Sequence, residues 1–176
     1  MMTHLWEKCV AFHGHECPGL AIGFRAAEAA HTWLGMTGFS QDEDLVCVTE
    51  NDACGVDAIQ VLLGCSFGKG NLIYKDTGKQ AFNFFDRKHA KKGRIVFKKS
   101  LMPTMDRKAM QAHILSAPLE ELFSLKEVSF ELPERARLFA SIVCEKCGES
   151  APEHKIRLEE GQKVCLDCAT SYSRGF

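Results

Sequence analysis

The chain has 176 residues, 45% of them hydrophobic and 26% charged, a composition that excludes intrinsic disorder, collagen-like repeats and low-complexity scaffolds. Lys plus Arg number 22 against 23 Asp plus Glu, so a net charge of −1 provides no global attraction to nucleic acid or to an acidic membrane. The first residues, Met1 to Lys8, lack the basic, apolar and small-residue order of a secretory signal, and no stretch reaches the ~18–20 apolar residues of a membrane span. The expected compartment is the cytoplasm, where the nine cysteines serve better as metal ligands, catalytic groups or small buried residues than as disulfides.

Apolar residues Leu5, Trp6, Cys9, Val10 and Phe12 recur at helical spacing and predict a short helix over 3–12, ending at Gly14. His13, His15, Glu16 and Cys17 then place two imidazoles, a carboxylate and a thiol within five residues. Pro18 suits the first position of the alanine-rich helix that follows, because its missing N–H would be unpaired there. Cys17 therefore falls at a helix cap, facing free N–H groups and the positive end of the dipole, which makes it a candidate nucleophile or metal ligand. His15, two residues away, is the candidate base.

Residues 45–49 read as a buried strand, and Asn51 or Asp52 caps a predicted helix over 53–64, placing Cys54 at a second helix start. If the two starts converge, Cys17 and Cys54 with His13 or His15 and Asp52 or Asp57 form a mixed sulfur, nitrogen and oxygen pocket for zinc or a softer transition metal. Cys47 and Cys65 read as buried packing. The run Ser66 to Leu72 is a tight loop that lacks the spacing of a phosphate-binding P-loop.

Three short strands are predicted at 72–74, 81–85 and 94–97, and the short turns between them imply antiparallel pairing. Seven Lys or Arg lie between Arg87 and Lys99, a solvated hairpin edge rather than a phosphate-binding patch. A helix over 104–116, a helical piece over 119–123 and an alternating strand over 126–132 complete the core, and 133–137 reads as a linker. The pattern predicts an α+β fold with helices packed on a mostly antiparallel sheet, divided into a core at 1–133 and a zinc finger at 134–176.

Cys144-x-x-Cys147 and Cys165-x-x-Cys168 have the spacing of a four-thiolate zinc site. Gly148 relieves the first knuckle, residues 155–164 suggest a hairpin, and the second pair opens a helical turn, the order of a treble-clef finger. Four thiolates close the metal shell, so this zinc is structural and staples a segment too short to bury a core of its own.

Taken together, the Phe-His-Gly-His-x-Cys-Pro-Gly start at 12–19, the Glu-Asn-Asp-Ala-Cys-Gly-Val-Asp-Ala-Ile-Gln block at 50–60, the Gly-Cys-Ser-Phe-Gly-Lys-Gly-Asn-Leu run at 64–72 and the terminal finger resemble the formylmethanofuran dehydrogenase E-subunit (FmdE-like) family. The resemblance implies an α+β core that forms an intertwined homodimer, with His15, Cys17 and Cys54 in its polar cleft and Cys144, Cys147, Cys165 and Cys168 in the finger. It also implies association with a molybdenum or tungsten enzyme complex of methanogenesis. No residue set in the chain would carry a molybdopterin or an iron–sulfur electron chain.

The leading expectation is a metal-binding protein of one-carbon metabolism, with zinc in the finger and a second transition metal in the core. The competing one is a binding module, in which the finger and the basic hairpin contact a partner protein or nucleic acid and the core is a dimer scaffold. The charge balance argues against nucleic acid.

Overall fold

A computed structural model describes residues 2–36, 39–98, 105–171 and 174. The chain separates into two compact units, Met1–Ala136 and Arg137–Phe176. No helix among the described residues is long and apolar enough to cross a membrane.

The first unit opens with α1 (Met2–His13) and α2 (Pro18–Leu34), separated by a turn in which Gly14 takes φ 90°. Pro18 occupies the first turn of α2, and the helix ends at Gly35 in the left-handed conformation that glycine adopts without strain. After α2 come β1 (Leu45–Thr49), α3 (Gly55–Leu63), β2 (Leu72–Tyr74), β3 (Ala81–Asp86), β4 (Lys91–Phe97), α4 (Arg107–Ser116), α5 (Leu119–Leu122) and β5 (Phe123–Lys126). The strands form one sheet in the order β2-β1-β3-β4-β5.

Three of the four pairings are antiparallel, which gives the mostly antiparallel sheet read from the sequence. β2 departs from expectation. It does not pair with β3 but lies parallel to β1, with Cys47 opposite Leu72. α3 is the reason: it carries the chain back along the sheet between β1 and β2, the crossover that a parallel neighbour requires. Asn71 fixes the register, its fully buried amide donating to the carbonyls of Leu45 and Gly64 while its Oδ1 accepts from the Ser66 N–H.

The alternation at 126–132 belongs to a strand only as far as Lys126. Beyond it Val128, Phe130 and Leu132 cover the sheet face made by Val46, Val48 and Phe85, so the period-2 pattern marks burial without ladder pairing. The opposite face packs Cys47, Phe82, Phe84 and Ile95 against the alanines of α2 and Ile59 of α3. Arg25 of α2 donates to the carbonyls of Leu115 and Ala117, holding the end of α4 to the helical layer. The predicted helix at 104–116 begins at Arg107, capped by Asp106; Thr104, like Lys99 of the basic run, lies outside the described residues.

The second unit is two hairpins, β6 (Ser141–Val143) with β7 (Ser150–Pro152) and β8 (Ile156–Glu159) with β9 (Gln162–Cys165). The first hairpin carries Cys144 and Cys147, and Gly148 takes φ 78° in its turn. Glu160 and Gly161 both have positive φ, 52° and 83°, the pattern of a tight type I′ hairpin. After Cys165 the chain makes one helical turn, with the Ala169 N–H donating to the Cys165 carbonyl at 2.9 Å.

Candidate functional site

The Gly-x-x-x-Gly spacing of Gly19 and Gly23 lays a bare backbone stripe along the first turns of α2, and α3 rests on it. A Cβ on Gly23 would come within 1.9 Å of the Gly55 carbonyl oxygen. This contact brings the amino termini of α2 and α3 together, as the sequence required if Cys17 and Cys54 were to meet. Gly19 lies close to both sulfurs: a Cβ there would stand 3.8 Å from Cys17 Sγ and 3.4 Å from Cys54 Sγ.

Cys17 is the N-cap of α2, and its Sγ accepts the Leu20 N–H at 3.3 Å. The side chain is 3% exposed. His13, the last residue of α1, places Nε2 at 3.7 Å from Cys17 Sγ, and its Nδ1 lies 2.7 Å from Asp57 Oδ2 in the first turn of α3. Gln60 Nε2 donates to the other Asp57 oxygen at 3.2 Å. The His15 ring lies against His13, tilted by 36° with centroids 4.5 Å apart, and ligand atoms of His13, His15 and Cys17 lie within 4.8 Å of one another. Leu20, Phe24, Cys9 and Ala58 wall the cleft on its inner side, with Trp6 edge-on to Phe24.

Of the alternatives the sequence left open, both imidazoles lie in the cluster with Cys17, His13 making the hydrogen-bonding contact, and Asp57 rather than the exposed Asp52 contacts His13. The signal for Asp57 was its place on the turn that follows Cys54, since a first-turn residue shares the end of the helix with its cap. Cys54 stands beside Cys17 without capping α3 through its side chain, and burial followed by contact with Cys17 pushes its thiol pKa up. Cys9, Cys47 and Cys65 are packing residues: burial raises Cys9 to about 11, Cys65 to about 12 and Cys47 well above the ordinary thiol range.

A buried polar network went unread in the sequence. Glu50, 4% exposed, accepts two hydrogen bonds from Arg94, at 2.6 and 2.9 Å, together with bonds from Asn83 and Thr77. These contacts, Arg94 foremost, hold the Glu50 carboxyl at about 2. Arg94 is one of the cations of the basic run. Arg87 donates to the carbonyls of Glu43 and Pro133, Lys88 pairs with Asp44, and Lys98 donates to the Glu120 carbonyl. The run is thus occupied largely with internal partners. Lys69 of the glycine loop likewise donates to the Ser40 carbonyl.

In the second unit the four thiols of Cys144, Cys147, Cys165 and Cys168 lie within 4.8 Å of one another. Cys147 and Cys165 are 3.9 Å apart at sulfur. Tetrahedral zinc with ~2.3 Å Zn–S bonds separates its sulfurs by about 3.8 Å, so the donors fit that ion. Backbone N–H groups of Cys147 and Cys165 lower the Cys144 thiol to about 6, while the neighbouring thiols of Cys165 and Cys147 push Cys168 up to about 12. A divalent cation relieves that crowding of thiolates.

Comparison with known proteins agrees with this division. A family model described as "FmdE, Molybdenum formylmethanofuran dehydrogenase operon" matches residues 12–127, and one described as "Prokaryotic dksA/traR C4-type zinc finger" matches residues 137–174. A "Probable S-adenosyl-L-methionine-binding protein" of Archaeoglobus fulgidus is 31% identical over 202 residues, covering 97% of this chain and 54% of that protein, so the chain spans about half of that relative's length. The crystal structure of a tungsten formylmethanofuran dehydrogenase E-subunit (FmdE)-like protein from Syntrophus aciditrophicus shares the fold, with a TM-score of 0.66 at 22% identity over 95% of this chain and 91% of that one. On the extent of the match to its core, this chain belongs to the FmdE family and carries a C4-type zinc finger after the FmdE domain.

Proposed function

We propose that the cleft at the joined amino termini of α2 and α3 is a transition-metal site whose ligands are His13, His15 and Cys17, with Cys54 at its edge. The observation that supports this is the 3.7 Å between His13 Nε2 and Cys17 Sγ. It is long for a polar hydrogen bond but close to the roughly 3.6 Å that separates a nitrogen and a sulfur on one tetrahedral zinc. Three protein ligands leave a position for an exogenous group, the arrangement of catalytic rather than structural zinc. A bound ion would act there as a Lewis acid. The chain's own residues hold the ring, supply the thiolate and exclude water on the Phe24 side.

The family description and the name of the Archaeoglobus relative support a substrate class for this reading, one-carbon chemistry, with a small one-carbon substrate or S-adenosylmethionine at the open position. In this reading the finger's zinc is structural, the protein works in the cytoplasm as a homodimer, and a molybdenum or tungsten enzyme complex is its partner.

Metal analysis of the purified full-length protein tests the reading. Two equivalents per chain are expected, falling to one in Cys17→Ala with the finger still loaded. One equivalent in both proteins, lost entirely in Cys168→Ser, would sink it.

A further inference from the structure

We infer that Asp57 is the positioning residue of the core site, fixing His13 in the tautomer that turns an Nε2 lone pair toward the position shared with Cys17. This rests on the metal-site proposal for its metal readout, but not for its tautomer readout.

A carboxylate offers acceptors only, so the 2.7 Å contact between Asp57 Oδ2 and His13 Nδ1 requires the proton on Nδ1. The neutral ring then turns its Nε2 lone pair toward Cys17 Sγ, 3.7 Å away, the side on which a metal shared with the sulfur would be held. Asp57 is itself held, because Gln60 one turn later donates to its second oxygen at 3.2 Å. The pair is well sheltered on the histidine side, the His13 and Asp57 side chains being 11% and 32% exposed. A chain of contacts therefore runs from Gln60 through Asp57 and His13 to Cys17, from α3 through the end of α1 to the cap of α2. His15 has no such partner among the described contacts; its ring lies against that of His13, tilted by 36°.

The test uses full-length protein labelled with nitrogen-15 at histidine, read by long-range proton–nitrogen correlation, followed by Zn²⁺ and Co²⁺ titration. In the wild type, His13 is expected as the Nδ1–H tautomer. Asp57→Ala should shift it toward Nε2–H and weaken core Zn²⁺ binding about 10–100-fold, with the finger's equivalent unchanged. Asp57→Asn keeps the side chain's shape but, with its amide oxygen held by Gln60, turns an NH2 toward Nδ1, so it should shift the tautomer in the same direction; it also serves if the alanine variant folds poorly. A wild-type His13 found as Nε2–H, or a tautomer indifferent to Asp57→Ala, overturns the inference. A tautomer that shifts while Zn²⁺ affinity and the thiolate-to-cobalt band stay unchanged also overturns it, since the ring would then position nothing. If no metal enters the wild-type core, the metal reading fails while the tautomer still decides the role of Asp57.

Discussion

Gly23 and Gly55 meet backbone to backbone, so close that a methyl group on Gly23 would lie 1.9 Å from the Gly55 carbonyl oxygen and a methyl on Gly55 3.0 Å from the Gly23 nitrogen. Everything at the candidate site depends on that approach, because it is what lets residues of α1, α2 and α3 share one cleft.

Gly23→Ala therefore has to move α3. It is expected to cost about 3 kcal/mol, at the upper end for overpacking because the obstacle is backbone. Denaturant unfolding measures the loss. Gly68→Ala, where an added Cβ meets nothing within 4 Å, is the control and should stay within about 0.5 kcal/mol of wild type.

The Glu50–Arg94 pair gives stability a pH dependence. Arg94 foremost, with Asn83 and Thr77, lowers the folded carboxyl from 4.5 to about 2 against its burial, so the contribution is fully present above pH 4.5 and is lost as pH falls through about 2. The shift corresponds to roughly 3 kcal/mol. Glu50→Gln should lower stability at pH 7 by about that amount and flatten the pH profile between 4.5 and 2, measured by unfolding at each pH. An unchanged slope would show that Glu50 is not the group responsible.

Chelation should unfold the second unit alone. Its two short hairpins bury few large side chains, with Val164 and Cys144 the fully buried ones, so metal binding supplies its folding energy. Amide resonances of 137–171 are expected to collapse on zinc removal while those of β1, β3 and β4 persist.

Asn71→Ala removes the amide that donates to the carbonyls of Leu45 and Gly64 and the oxygen that accepts from Ser66, all out of water. Leaving buried carbonyls unpaired is expected to cost about 3 kcal/mol, seen as a lower melting temperature. The parallel β1–β2 pairing should loosen first, with faster amide exchange at Cys47 than at Phe84.

Local chemistry made much of this molecule legible. The caps, the turn glycines and the paired cysteines announced α2, β1, α3 and the finger because each depends on residues within one turn of itself. Pro18 marks the start of α2, and Cys17 and Cys54 fall at the predicted helix starts. The strand ladder was less legible. Whether Leu72–Tyr74 would pair with β1 or β3 depended on where α3 carried the chain, and residues 128–132 show that alternation reports a buried face, not a hydrogen-bonded neighbour. In the same way the contacts of His13 with Asp57 and Cys17 lay outside the sequence, since they turn on how α1 ends against α3. Glu50 gave no sign of burial because its partner Arg94 sits in a run of cations that reads as solvated surface.

The sealing of Cys9, Cys17, Cys47 and Cys65 inside the first unit, with Cys54 alone among its thiols partly reaching solvent, makes the chain its own folding clock. A brief pulse of alkylating reagent during refolding would mark each of these sulfurs until its surroundings close. The order in which they vanish from the mass spectrum would report when the helical cleft assembles relative to the sheet.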